Sequence, residues 1–156
     1  MKDWTKPFKA MGACMDAIDW CQLYDSLEDA WQVCKRGDWM LWLLEKVAGK
    51  PESKSRKLLV LTVCQCARLA LPYVIEGDKR PLRVIETVEA WARGENGVTL
   101  DDMRHAYAYA AHAAVVAAYA TYATDATDAT YVAARLSALR HCADIVREFY
   151  PNAPKI

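Results

Sequence analysis

The sequence predicts an all-α protein, a compact bundle of six or seven helices around one long Ala-rich central helix. Three observations lead there. No stretch shows the strict apolar-polar alternation of a half-buried strand. Residues 103–136, MRHAYAYAAHAAVVAAYATYATDATDATYVAARL, hold neither Gly nor Pro and place Ala at nearly every second or third position, which minimises the entropy cost of fixing a helix. Over the rest of the chain, helix-opening Ser, Asp and Thr residues alternate with Gly and Pro stops at helix-length intervals.

The elements follow in order. A first helix is expected from about Pro7 to Cys21, with Pro near its start and Phe8, Met11, Met15 and Ile18 as its apolar stripe. Ser26 with Glu28 and Asp29 resembles a capping box and opens a second helix through Trp31 and Cys34, which Gly37 stops. Asp38 can cap a third, WMLWLLEKVAG, ended by Gly49 and Pro51. Ser53 or Ser55 opens a fourth, KLLVLTVCQCARLALPYV, apolar nearly all round and therefore expected to be central and buried. Gln65 and Arg68 are its interior polar residues, and Pro72 kinks or ends it. Pro81 starts an amphipathic fifth helix through Leu82, Ile85, Val88 or Glu89, and Trp91 or Ala92, closed by Gly94 and Gly97. Thr99 with Asp102 is a second capping signal and begins the long stretch. The tail YPNAPKI is expected to fray.

On a helical wheel at about 100° per residue, His105, Tyr109, His112, Val116 and Tyr119 form one seam of the long stretch. Leu100, Met103, Tyr107, Ala111, Ala114 and Ala118 form a small-residue face opposite, so both sides want burial. Asp125 and Asp128 then interrupt the small-residue face, and burying an unpartnered carboxylate costs several kcal/mol. A single helix from Thr99 to Tyr150 would run about 75 Å, against about 40 Å for a compact chain of this size. The helix is therefore expected to break near residues 121–130, unless it projects into an oligomer or lines a polar cavity.

With 156 residues, one domain over 1–156 can bury a core without metals or staples. The 20 basic and 20 acidic residues cancel, which removes the electrostatic case for a general nucleic-acid or membrane-surface binder. The six Cys show no CxxC spacing, no signal peptide or apolar span is apparent, and a cytoplasmic protein with reduced thiols is expected. His and Cys never reach ligand spacing, so no metal and no cofactor are expected. No nucleophile elbow, phosphate loop, His-Asp pair or repeated Glu-x-x-His motif is present, and no enzyme is expected.

The inventory suits binding. Six Trp and eight Tyr against two Phe favour rings that carry a polar handle. Trp39, Trp42, Tyr109 and Tyr119 could stack a base, Arg80, Arg83 and Arg104 could meet phosphate, and His105 and His112 could donate to ribose or phosphate oxygens. Each could equally fill a gap between helices. As a group, His, Tyr, His and Tyr form an odd structural seam, because Leu and Ile pack more simply. Asp125 and Asp128 could face a basic partner or a polar cavity.

The segment CARLALPYVIEGDKRPLRVIETVEAWARGE followed by AYAYAAHAAVVAAYA resembles a family of small helical immunity proteins, type five, many of them carried by phages and prophages. The likeness lies in the order of parts: Cys-Ala-Arg on an apolar helix, the turn with Asp78, Arg80 and Pro81, an Ile-Glu helix ending in Trp91 and Gly94, then Ala and His. It covers about residues 58–122, and CKRGDWMLWLL resembles the phage-borne members in particular. The resemblance implies a role in biological conflict. A phage more often needs to blunt a host defence than to resist a toxin it does not carry. The expectation is thus a non-enzymatic anti-defence protein that sequesters a small nucleotide-like signalling molecule, as a homo-oligomer. The alternative is an immunity or inhibitor protein that neutralises a toxin or defence protein by direct binding.

Overall fold

A computed structural model describes the backbone of residues 3–95, 97–106 and 128–156, with side chains for all of these except 128–132 and 134. All regular structure in the described residues is helical, as the sequence predicts. The elements are α1 (Lys6–Ala10), α2 (Met15–Cys21), α3 (Leu27–Val33), α4 (Gly37–Val47), α5 (Lys54–Arg68), a 3-10 turn (Leu71–Tyr73) and α6 (Arg80–Arg93). There follow α7, helical over residues 100–106, and α8 (Asp128–Phe149). The middle of the Ala-rich stretch and the expected break near 121–130 lie outside the described residues up to residue 127.

Local signals set most boundaries. The Ser26 hydroxyl accepts the Asp29 N–H at 3.1 Å and caps α3, and Ser53 does the same for α5 through the Arg56 N–H at 3.2 Å. Thr99 and Asp102 cap α7 reciprocally: the Asp102 carboxylate accepts the Thr99 N–H at 2.8 Å, and the Thr99 hydroxyl accepts the Asp102 N–H at 3.1 Å. Pro81 lies in the first turn of α6, and Gly94 ends it at φ 72°.

Four expectations are corrected. The helix expected from Pro7 to Cys21 is two helices, because Gly12 takes φ 83° between them; Met15, assigned to the apolar stripe, is exposed. Gly37 does not stop a helix. It is the first residue of α4, and Asp38 sits in the first turn without acting as the cap. A Cβ on Gly37 would overlap the Cys142 side chain and the Ala143 nitrogen, so this glycine is what lets α8 touch the start of α4. Helix α5 touches α4, α6 and α8, yet it is not buried all round: Leu59, Thr62 and Cys64 are buried, whereas Leu58 and Val63 are exposed. The tail does not fray. The Trp31 indole N–H donates to the Tyr150 carbonyl at 2.9 Å, Gln32 donates to the Pro151 carbonyl at 2.8 Å, and the Ala153 N–H donates to Glu28 at 2.9 Å.

Two apolar clusters result among the described residues. One joins Phe8, Trp31, Met40, Leu43, Leu44, Leu59, Ala143 and Val146, from α1, α3, α4, α5 and α8. The other joins Cys64 of α5 to Ile85 and Val88 of α6, with Met103 and Ala106 of α7 packed on it. Between α5 and α6 the buried Glu89 carboxylate accepts from Gln65 at 3.1 Å and from both prongs of Arg68 at 2.9 and 2.8 Å. Arg93 adds a further donor at 3.2 Å. The two polar residues that marked α5 in the sequence thus serve one carboxylate on its neighbour, Arg68 with charge and Gln65 with a neutral hydrogen bond.

Candidate functional site: an aromatic cavity in the N-terminal half

Helices α1 to α4 enclose a cavity of about 430 Å³, partly open to solvent. Its wall is mostly apolar: Phe8, Ala17, Ile18, Leu27, Ala30, Met40 and Leu43, with the four indoles of Trp20, Trp31, Trp39 and Trp42. The chain turns at Gly12, with φ 83°, before α2, and Trp20 of α2 meets Trp39 of α4 with ring centroids 5.9 Å apart and planes at 57°. Trp31 is anchored from behind by its bond to the Tyr150 carbonyl. Arg147 of α8 holds the end of α3 by donating to the carbonyls of Trp31 at 3.1 Å and Cys34 at 2.7 Å. The wall is therefore fixed by bonds from α8 and the tail rather than by α3 alone.

The charged part of the wall is one ion pair. Arg36 donates through Nε and a terminal nitrogen to the two oxygens of Asp38, at 2.8 and 2.6 Å, and its guanidinium lies 4.2 Å from the Trp39 ring centroid. Burial works to raise the Asp38 carboxyl, but the bonds and charge of Arg36 outweigh it and hold that group below its usual range. Outside the wall, the Lys46 ammonium stands 5.3 Å from the Trp42 ring centroid. Cys14, Cys21 and Cys34 complete the wall. Burial, with a smaller contribution from Cys34, pushes the Cys21 thiol up to about 11, and burial raises Cys34 as well, so both are protonated near neutral pH. The arrangement suits holding a planar, largely apolar group against indole faces.

Trp39 and Trp42, singled out in the sequence, both line this cavity. Arg80, Arg83, Arg104 and His105 do not contribute to its wall. Arg80 opens α6 and grips Asp78 with two bonds at 2.8 and 2.6 Å, which bring the Asp78 carboxyl down to about 2. Arg83 is exposed on α6. Arg104 and His105 are exposed on α7, with the His105 Nδ1 2.8 Å from the Asp101 carbonyl. Tyr109, His112, Tyr119 and Asp125 lie outside the described residues, as does the side chain of Asp128, the first described residue of α8. Sequence reasoning missed Trp20, Trp31, Arg36 and Asp38. The signal was present: Trp4, Trp20, Trp31, Trp39 and Trp42 all fall in the first 42 positions, and only Trp91 lies beyond.

Among the described residues, no three His, Cys, Asp or Glu side chains converge so as to hold a metal ion, and no helix is long and apolar enough to cross a membrane. The chain matches no protein-family model, no curated protein and no solved structure.

Proposed function

We propose that this protein captures a small nucleotide-like molecule by its base, without turning it over, and so sequesters a signal in phage or bacterial conflict. The observation that carries the proposal is the cavity of about 430 Å³ walled by four indoles, with cations on the Trp39 and Trp42 rings. Its volume falls in the range of small-molecule sites, which runs from about 300 to 1,000 Å³. Stacking on an aromatic side chain is worth roughly 1–3 kcal/mol per base and works with any base, as capture requires. A base held among the indoles would leave its phosphates to Arg36 of the wall. Action in the cytoplasm, as a homo-oligomer, fits this role.

The test is native mass spectrometry of the protein purified from cells, followed by titration of its tryptophan fluorescence with mononucleotides and cyclic dinucleotides. The expected result is a released nucleotide-sized mass and saturable quenching that Trp39→Ala removes. A bare protein whose fluorescence no nucleotide changes would overturn the proposal. A second reading has one observation in its favour: Met15 and Leu23 stand exposed on or just beyond α2, the helix that forms one wall of the apolar cavity. That pattern suits an immunity or inhibitor protein receiving an apolar side chain from a toxin or defence protein. Capture of such a protein by the bare chain, lost in Met15→Asp and Leu23→Asp, would favour it.

A further inference from the structure

We infer that residues 150–153 form a strap whose docking on α3 is linked to the filling of the cavity: an occupied cavity holds the strap down, and a released strap weakens what the cavity can hold. The inference rests on the cavity alone and not on the identity of its occupant. The side chain that carries it is Trp31. It is 2% exposed, its indole ring is part of the cavity wall, and its N–H donates to the Tyr150 carbonyl at 2.9 Å. One side chain thus faces a guest on one side and the strap on the other.

Helix α3 does not hold that ring by itself. It has seven residues, too few for a helix to persist without tertiary contacts. Leu27, Ala30 and Trp31 line the cavity, while Glu28 and Gln32 take the strap. Gln32 donates to the Pro151 carbonyl at 2.8 Å, the Ala153 N–H donates to Glu28 at 2.9 Å, and Gln32 donates to Glu28 at 2.7 Å, which ties the two strap contacts together. Arg147 grips the end of α3 from α8 and stays in place when the strap leaves, so release is a local opening. With the strap docked, the indole is fixed before a guest arrives. With the strap released, the N–H loses its acceptor and the ring regains rotational freedom, which a planar guest has to remove on binding. A guest therefore binds the docked state better, and by linkage it shifts the strap towards docking by the same factor. The bond that differs between the two states is a neutral one, which sets that factor at about five.

The Ala153 amide is the reporter, because its acceptor lies on α3. Its hydrogen exchange is followed by NMR in the full chain, with and without saturating anilinonaphthalene sulfonate, an aromatic probe of apolar cavities. The expected result is exchange slowed about five-fold by the probe. The Asp78 amide, bonded to the Ile75 carbonyl in the loop before α6, should exchange unchanged. Trp31→Phe keeps an aromatic ring without the N–H and should bring the Ala153 ratio close to unity, although Gln32 and Glu28 still hold the strap. A chain ending at Phe149 should bind the probe about five-fold more weakly in a fluorescence titration. Unchanged Ala153 exchange, no saturable probe binding, the same slowing in Trp31→Phe, or an unchanged affinity in the shortened chain would each overturn the inference. Equal slowing at Asp78 would do so too, since the probe would then be stabilising the whole chain. The wild-type exchange ratio decides the matter even where a variant folds poorly. Failure of every nucleotide to bind would leave this result standing, and a probe that binds without slowing Ala153 would leave nucleotide capture standing.

Discussion

Replacing Glu89 by Gln is the sharpest probe of how α5 and α6 are held together. The carboxylate is 2% exposed and takes four donors, from Gln65, twice from Arg68 and from Arg93. Hydrogen bonds to a charged group are worth about 1.5–3 kcal/mol each when fully desolvated, and breaking a buried ion pair costs about 3–5 kcal/mol. The Arg68 and Arg93 side chains are 33% and 50% exposed, so water recovers much of their solvation once the carboxylate is gone. Gln also keeps one acceptor oxygen. The expected loss is therefore about 2–3 kcal/mol at neutral pH, a drop of roughly 5–10 °C in Tm for a chain of this size.

The pH dependence separates charge from shape. The Arg68 bonds, stronger than the opposing effect of burial, hold the Glu89 carboxyl below its ordinary value of 4.5, with Arg93 adding to them. A depressed folded-state value means that this contribution is complete above 4.5 and is lost as the pH falls through the folded-state value. Urea unfolding of wild type and Glu89→Gln at neutral pH and at progressively lower pH should show a gap that narrows below 4.5. A gap under about 0.5 kcal/mol at neutral pH, small beside the usual cost of breaking a buried pair, would refute the reasoning. So would a full-sized gap that does not change with pH, since it would place the loss in packing.

Three further outcomes follow from the packing. Gly37→Ala should destabilise by about 1–3 kcal/mol in thermal melts, because the added methyl must displace α8 at Cys142 and Ala143; an unchanged Tm would mean that the helices separate freely there. Removing residues 151–156 should lower Tm by a few degrees and raise the exchange rate of amides in α3, since Gln32 and Glu28 lose their partners in the tail; equal exchange would leave the tail as decoration. Trp31→Phe keeps one aromatic ring but loses the bond to the Tyr150 carbonyl and part of a buried side chain, and should cost about 2–3 kcal/mol by urea unfolding and weaken the proposed nucleotide capture; an effect on neither would detach that anchor from the site.

What the sequence by itself determined is what short-range chemistry determines. Ser26, Ser53 and the Thr99 with Asp102 pair open helices because a side-chain oxygen satisfies an amide two or three residues on, and Gly94 closes α6 because it alone takes a left-handed turn cheaply. All-helical class follows from such signals together with periodicity. The tertiary structure decided everything that depends on what lies across a gap. Gly37 looked like a stop and is an approach point, because the Cys142 side chain that demands it is more than a hundred positions away in the chain. Gln65 and Arg68 stood out in the sequence only as the interior polar residues of an apolar helix, and Glu89 of α6 opposite them gives the reason. Trp39 and Trp42, which the sequence offered as stacking candidates, line the cavity. The crowding of Trp in the first 42 positions hinted at Trp20 and Trp31, but that they share one wall with Arg36 and Asp38 was not legible, because the turn at Gly12 and the bond from Trp31 to the tail have no local signature.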